Sequence, residues 1–312
     1  MIAASSCVDG LKSLGYSFFT GVPCSFLQPI INAVINDPVL LYVGASNEGE
    51  AAGLAVGAHL AGRKAAVLCQ NSGLGNMVSP LTTLCHPFQV PILILCSWRG
   101  EPGIKDELQH VLMGQITHAL LDTMRIPWAL FPKDAHEIPM VLERAQTCMA
   151  RTHLPFALVM SRDAVEECAQ LPLPAAPRVQ ADVRSCISLA PSRRMTRAEA
   201  LQAVLSALPG GEAILATAGN TGLELVAISD RPEHLHLTGG MGTASAVGTG
   251  IALSLPRQPV VVLDGDGAAL MRMGSLATVG SYAPENLLHV ITDNESYESL
   301  GGQCTVSRTV RF

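Results

Sequence analysis

Short apolar runs alternate with helical stretches along most of the chain. Six runs in the first half read as strands, at residues 16–20, 40–43, 65–70, 91–96, 127–131 and 156–160. Four more follow at 213–217, 234–237, 259–263 and 287–292. Most are continuous in hydrophobicity, not alternating, which is the signature of strands covered on both faces in a parallel sheet. Helical patterning falls between them, at residues 48–62, 197–208 and 268–280 among others. The alternation predicts an α/β chain built from two doubly wound parallel-sheet domains.

One stretch breaks the rhythm. Residues 171–179 (LPLPAAPRV) are proline-rich, and PSRRMT follows from Pro191, so residues 166–196 read as a linker. That places the first domain at 1–165 and the second at 197–312. The second offers four strands in about 115 residues, one or two strand–helix units short of a full domain of this kind. It is therefore expected to be incomplete, as in a truncated chain.

Composition narrows the function. Hydrophobic residues make up 48% and charged residues 15%, too apolar for a disordered chain. Lys plus Arg number 20 against 26 Asp plus Glu, a net charge of −6 that argues against a nucleic-acid partner. No apolar run is long enough to span a bilayer, so no membrane association is expected. The N-terminus lacks a basic segment followed by an apolar one, and Asp9 and Lys12 interrupt it. Nine cysteines occur without a CxxC pair or zinc spacing, the pattern of reduced thiols in a cytoplasmic protein. Neither a GxGxxG fingerprint, a phosphate-binding GxxxxGK[ST] loop, GxSxG nor HExxH is present. His234 and His236 lack a third ligand nearby and read as strand residues.

The chemistry sits where the strands end. The apolar run 259–263 leads into Asp264-Gly265-Asp266-Gly267, and the run 287–292 leads into Asp293-Asn294-Glu295-Ser296. Ligands of open α/β sheets bind at such carboxyl ends. Two glycines around Asp266 allow a tight turn with free amide groups facing an anion. A carboxylate, an amide oxygen and a backbone carbonyl form part of the hard-oxygen shell that magnesium completes with phosphate oxygens. In the first half, Glu48 opens a helix of small residues (EGEAAGLAVGAHLAG) that carries almost no other charge. The turn QNSGLGN, residues 70–76, follows the third strand.

GDG with an Asn 28 residues downstream resembles the signature of thiamine diphosphate enzymes, and the likeness extends over essentially the whole chain. The resemblance implies a pyrimidine-binding domain followed by a diphosphate-binding domain. It implies that Asp266, Asn294 and the Ser296 carbonyl hold magnesium, with Gly265, Gly267 and Ala268 beside the cofactor diphosphate. Met241, in Thr238-Gly-Gly-Met-Gly242, matches the apolar residue that props the cofactor in a bent form, with Gly240 beside it. Glu48, with Ala51-Ala52 and Gly57 at the family spacing, matches the acid at N1′ of the aminopyrimidine. Asn71, Ser72 and Gly73 match the turn that packs beside that ring.

WRGEPG at 98–103, KDELQH at 105–110 and GGQ at 301–303 are similar to the branch that decarboxylates short anionic 2-oxo acids. This implies conversion of 3-phosphonopyruvate to phosphonoacetaldehyde and carbon dioxide, a step of phosphonate biosynthesis. The alternatives are the corresponding reaction of sulfopyruvate, or a truncated non-catalytic chain that only binds cofactor. Arg99 is expected to offer a bidentate fork to the phosphonate. His110 is expected to meet the carboxylate or shuttle a proton. The resemblance further implies a homodimer or larger assembly with active sites shared between subunits. Thr243, Asn220-Thr221 and Leu108 depart from the family pattern.

Overall fold

The structure is a computed structural model that describes residues 1–172 and 194–312. It divides into two compact units, residues 1–172 and 173–312.

The first unit carries strands β1 (Tyr16–Gly21), β2 (Leu41–Gly44), β3 (Lys64–Gln70), β4 (Leu93–Ser97), β5 (Trp128–Leu130) and β6 (Phe156–Met160). They form one sheet in the order β2-β1-β3-β4-β6-β5, and every pairing is parallel. β4 and β6 are buried at every position, because helices cover both faces. Gly21 pairs with Gly44, Gln70 with Ser97, and Ser97 with Met160. The register therefore brings the loops after β2, β3 and β4 to one edge. The helix Glu48–Leu60 packs on β1 and β3, with residues 48–58 buried throughout. Its small side chains let it lie this close to the sheet.

The second unit has β7 (Ala213–Ala216), β8 (His234–His236), β9 (Val260–Gly265) and β10 (Leu287–Thr292), all parallel in the order β10-β9-β7-β8. Its core gathers Leu201, Ile214, Ala216, Leu225, Val261 and Leu263. Thr292 pairs with Gly265, so the two polar loops after β9 and β10 leave the sheet side by side. A small antiparallel ribbon, β11 (Ser296–Tyr297) and β12 (Gln303–Cys304), follows. All ten expected strands are present, their ends shifted by two residues at most.

Two expectations change. The single helix expected over 268–280 is two, Asp266–Met271 and Gly274–Tyr282, with a break at Arg272. Gly274, a weak helix former, marks the restart. Residues 166–171, expected in the linker, are instead tied to the first unit. Glu166 N donates to Ile2 O at 2.8 Å, Asn32 Nδ2 to Cys168 O at 2.7 Å, and Leu171 N to Asn36 Oδ1 at 2.8 Å. Most of the remaining expected linker, residues 173–193, lies outside the described residues. Thr196 closes a capping box with Glu199 at the start of the helix Arg197–Ala207. Among the described residues no helix is long and apolar enough to cross a membrane. Burial pushes the Cys7 and Cys85 thiols up to about 12, which makes them packing groups.

Candidate functional site

In the first unit the acid expected from the sequence stands at a defined place. Asn47 caps the helix by accepting from Glu50 N at 3.1 Å, so Glu48 begins the first turn. Glu48 is 8% exposed, and its Oε2 accepts from Asn76 Nδ2 at 2.7 Å. The loop after β3 lies against it. A Cβ on Gly73 would fall 2.3 Å from Glu48 Oε1, so only glycine leaves the carboxylate this position. Glu50, four residues after Ser46, has a different task. Its Oε2 accepts from Ser46 N at 2.7 Å and from the Ser46 hydroxyl, fastening the turn that precedes the helix. Geometry thus separates the two acids of the EGE string.

Asn71 and Ser72 turn to local partners. Asn71 is buried and donates to Arg99 O at 2.8 Å and Thr117 Oγ1 at 2.9 Å, which ties the β3 loop to the β4 loop. The exposed Ser72 accepts from Gln70 Nε2 at 2.6 Å. Arg99 corrects an expectation. Its fork is already filled: Nε and Nη2 donate to Asp106 at 2.8 and 2.7 Å. Asp106 also accepts from Gly100 N, Glu107 N and Arg162 Nη2. The Arg99 hydrogen bond holds the Asp106 carboxyl far below the usual carboxylate range, so the pair stays ionised and intact. The edge left to Arg99 is Nη1, 3.4 Å from Ser25 Oγ. His110 is buried in the same loop, with Nε2 3.5 Å from the Glu107 carboxylate.

In the second unit the metal residues expected from the sequence come together. A cavity of about 640 Å³ is lined by Gly265, Asp266, Gly267, Ala268, Asn294 and Ser296, among others. Asp266 is 3% exposed and opens its short helix directly off β9. A Cβ on Gly267 would meet the Tyr297 ring at 2.4 Å, so the second glycine of GDG is needed for that ring. Gly265 has open space where a side chain would be. Asn294 Oδ1 accepts from Ser296 N at 3.0 Å, and Glu295 between them adopts φ +57°. Left-handed backbone at a non-glycine residue is held by its surroundings and clusters at functional loops. Asp264, buried within β9, accepts from Gly265 N at 3.0 Å and lies 3.3 Å from His289 Nε2. Met241 and Gly240 are placed differently. Met241 is 57% exposed in a turn, and neither residue lines the cavity. His234 Nδ1 donates locally to Ser229 O, 2.9 Å away, as a strand residue.

The donor set fits a hard cation shared with phosphate oxygens. Among the described residues no cluster of three His, Cys, Asp or Glu side chains forms a self-sufficient metal cage. Asp266, the Asn294 amide and the Ser296 carbonyl leave the rest of an octahedral shell to other oxygens, as magnesium takes them in diphosphate sites. Sequence reasoning passed over four groups here: Asn76, Asp106, Thr305 and Ser307. Asn76 lies within the QNSGLGN string, and Asp106 within KDELQH. The two hydroxyls carried no signal.

A family model for the thiamine pyrophosphate enzyme, N-terminal TPP binding domain, matches residues 1–123. The corresponding C-terminal TPP binding domain matches residues 218–312. The chain is 45% identical over 313 residues to a phosphonopyruvate decarboxylase of Streptomyces viridochromogenes, covering 99% of this chain and 78% of that one. It is 28% identical to a sulfopyruvate decarboxylase of Methanosarcina acetivorans, over 96% of this chain and 77% of that one. A solved thiamine diphosphate-dependent 4-hydroxybenzoylformate decarboxylase of Rhodococcus jostii RHA1 superposes with a TM-score of 0.73 at 12% identity, over 96% of this chain and 87% of the other. At that identity the likeness is one of fold.

Proposed function

The chain belongs to the thiamine pyrophosphate enzymes, and from that membership we propose that it decarboxylates 3-phosphonopyruvate to phosphonoacetaldehyde and carbon dioxide. The observation that carries the reading is the alignment over 99% of this chain with a phosphonopyruvate decarboxylase at 45% identity, against 28% with a single-chain sulfopyruvate decarboxylase and 40% over only parts of the chain with separate sulfopyruvate decarboxylase subunits. When bound, thiamine diphosphate supplies the electron sink for the pair left by the departing carboxylate.

The chain's own residues do the rest. Asp266, Asn294 and the Ser296 carbonyl hold magnesium and through it the diphosphate. Gly265, with no side chain in the way, lets phosphate oxygens approach the backbone. Glu48 holds a proton at N1′ of the aminopyrimidine, and Asn76 keeps its carboxylate fixed. Gly73 leaves room for that carboxylate; Asn71 and Ser72 hold the turn rather than the ring. Met241 is exposed and available as an apolar prop. His110 holds or moves a proton for the substrate. For the phosphonate, Arg99 offers its Nη1 edge and not its fork.

A phosphonate can carry a second negative charge and a sulfonate only one, so a cationic edge rewards the former more. With the two acids assayed in parallel, kcat/KM is expected to favour phosphonopyruvate by at least about tenfold, roughly 1.4 kcal/mol in the transition state. Equal or reversed values would move the assignment to sulfopyruvate. The same reading includes a homodimer or larger assembly with active sites shared between subunits. Relatives named as separate alpha and beta subunits of sulfopyruvate decarboxylase align with parts of this chain and support an assembly of several copies. A monomer in sedimentation at working concentration would contradict it.

A further inference from the structure

Beyond the residues expected to hold the metal, two hydroxyls from the segment after β12 reach Asp266 and Asp293. The Thr305 hydroxyl donates to Asp266 Oδ2. Thr305 Oγ1 lies 3.0 Å from Ser307 Oγ, and the Ser307 hydroxyl donates to Asp293 Oδ1 at 2.8 Å. Thr305 N donates to Glu295 O at 3.0 Å, which fastens the segment to the loop after β10. Thr305 is 7% and Ser307 1% exposed. Buried hydroxyls in such numbers make specific hydrogen bonds, and these run from the loop after β9 to the loop after β10.

We propose that Thr305 is a positioning residue for the metal carboxylate: its hydroxyl fixes the Asp266 rotamer, and Ser307, anchored by its own hydroxyl on Asp293, holds Thr305 Oγ1 through its backbone N–H at 3.4 Å. The inference rests on the reading that Asp266 holds the metal. A carboxylate with two equivalent oxygens swings freely about its last torsion. With Oδ2 occupied by Thr305, Oδ1 is left for a cation, at one orientation. The fixing is done by groups from a different loop, so the two strand-end loops that supply Asp266 and Asn294 are held in one arrangement before any cation arrives. Such partners of ligating carboxylates typically cost 10–100-fold in metal affinity when removed. Asp293 Oδ1 accepts from Ser307 and also from Glu295 N at 3.0 Å.

Uptake of Mn2+ tests this without any turnover. Free Mn2+ is read by its electron paramagnetic resonance signal while protein and thiamine diphosphate are held constant. T305V removes the hydroxyl and keeps the shape; its Mn2+ affinity is expected to fall by about 10–100-fold. T305S restores the hydroxyl and most of the affinity. Wild-type affinity in T305V would overturn the proposal. If T305V does not fold, S307A carries the test: a weaker loss in the same direction is expected, and no loss overturns it. D266A separates the two ideas. Lost binding in D266A with full binding in T305V overturns the positioning role alone. Full binding in D266A, or none in wild type, removes the metal assignment and the positioning role together.

Discussion

Asp266→Ala is expected to abolish thiamine diphosphate binding in isothermal titration, at any practical magnesium concentration. The argument is one of charge and number. Asp266 is the single carboxylate in the expected donor set; Asn294 and the Ser296 carbonyl contribute neutral oxygens. A divalent ion beside a diphosphate needs that anionic ligand to bridge to the protein. Groups that only orient a ligand cost 10–100-fold, so loss of the ligand itself costs more. The fold is expected to survive. Asp266 opens a six-residue helix at the edge of a cavity, and the core of the unit, from Leu201 to Leu263, lies elsewhere. An unchanged far-ultraviolet dichroism spectrum is the control, and retained tight binding of the cofactor with magnesium would refute the metal assignment.

Glu48→Gln should separate binding from catalysis. The amide has the shape of the acid, and its oxygen still accepts the Asn76 hydrogen bond that holds the native side chain at 2.7 Å. What it loses is the ability to exchange a proton at N1′. General acid–base contributions of this kind are worth about 10²–10⁴-fold in rate. The variant is therefore expected to bind cofactor like wild type, to lose decarboxylation by about that factor, and to slow exchange of the thiazolium proton followed by NMR. An unchanged exchange rate would assign activation to some other group. Gly73 makes the placement stringent, since any side chain there would push into the same carboxylate.

Parallel core strands were legible because burial on both faces makes them continuous apolar runs, so all ten were found from pattern alone. Glu48 is named by the family resemblance; the structure adds that it opens the helix and meets Asn76. Two acids stand in that helix's opening string, and only the spacing of Ala51-Ala52 and Gly57 from Glu48 singles it out from Glu50. Other features depend on contacts between distant parts of the chain. Arg99 reads as a free fork until Asp106 is seen to turn back onto it from within its own loop. Residues 166–171 read as linker because their partners, Asn32 and Asn36, stand more than 130 residues earlier. Thr305 and Ser307 follow no apolar period, and hydroxyls are common in loops. Only the folded ribbon of β11 and β12 brings them to Asp266 and Asp293.

The most direct test of the whole account is phosphorus NMR of the protein incubated with 3-phosphonopyruvate, thiamine diphosphate and magnesium, with carbon dioxide trapped from the same vessel. The account predicts phosphonoacetaldehyde and carbon dioxide in equal amounts, and neither when cofactor or magnesium is left out. Substrate that stays unchanged in the complete mixture, or product that forms without thiamine diphosphate, would contradict it.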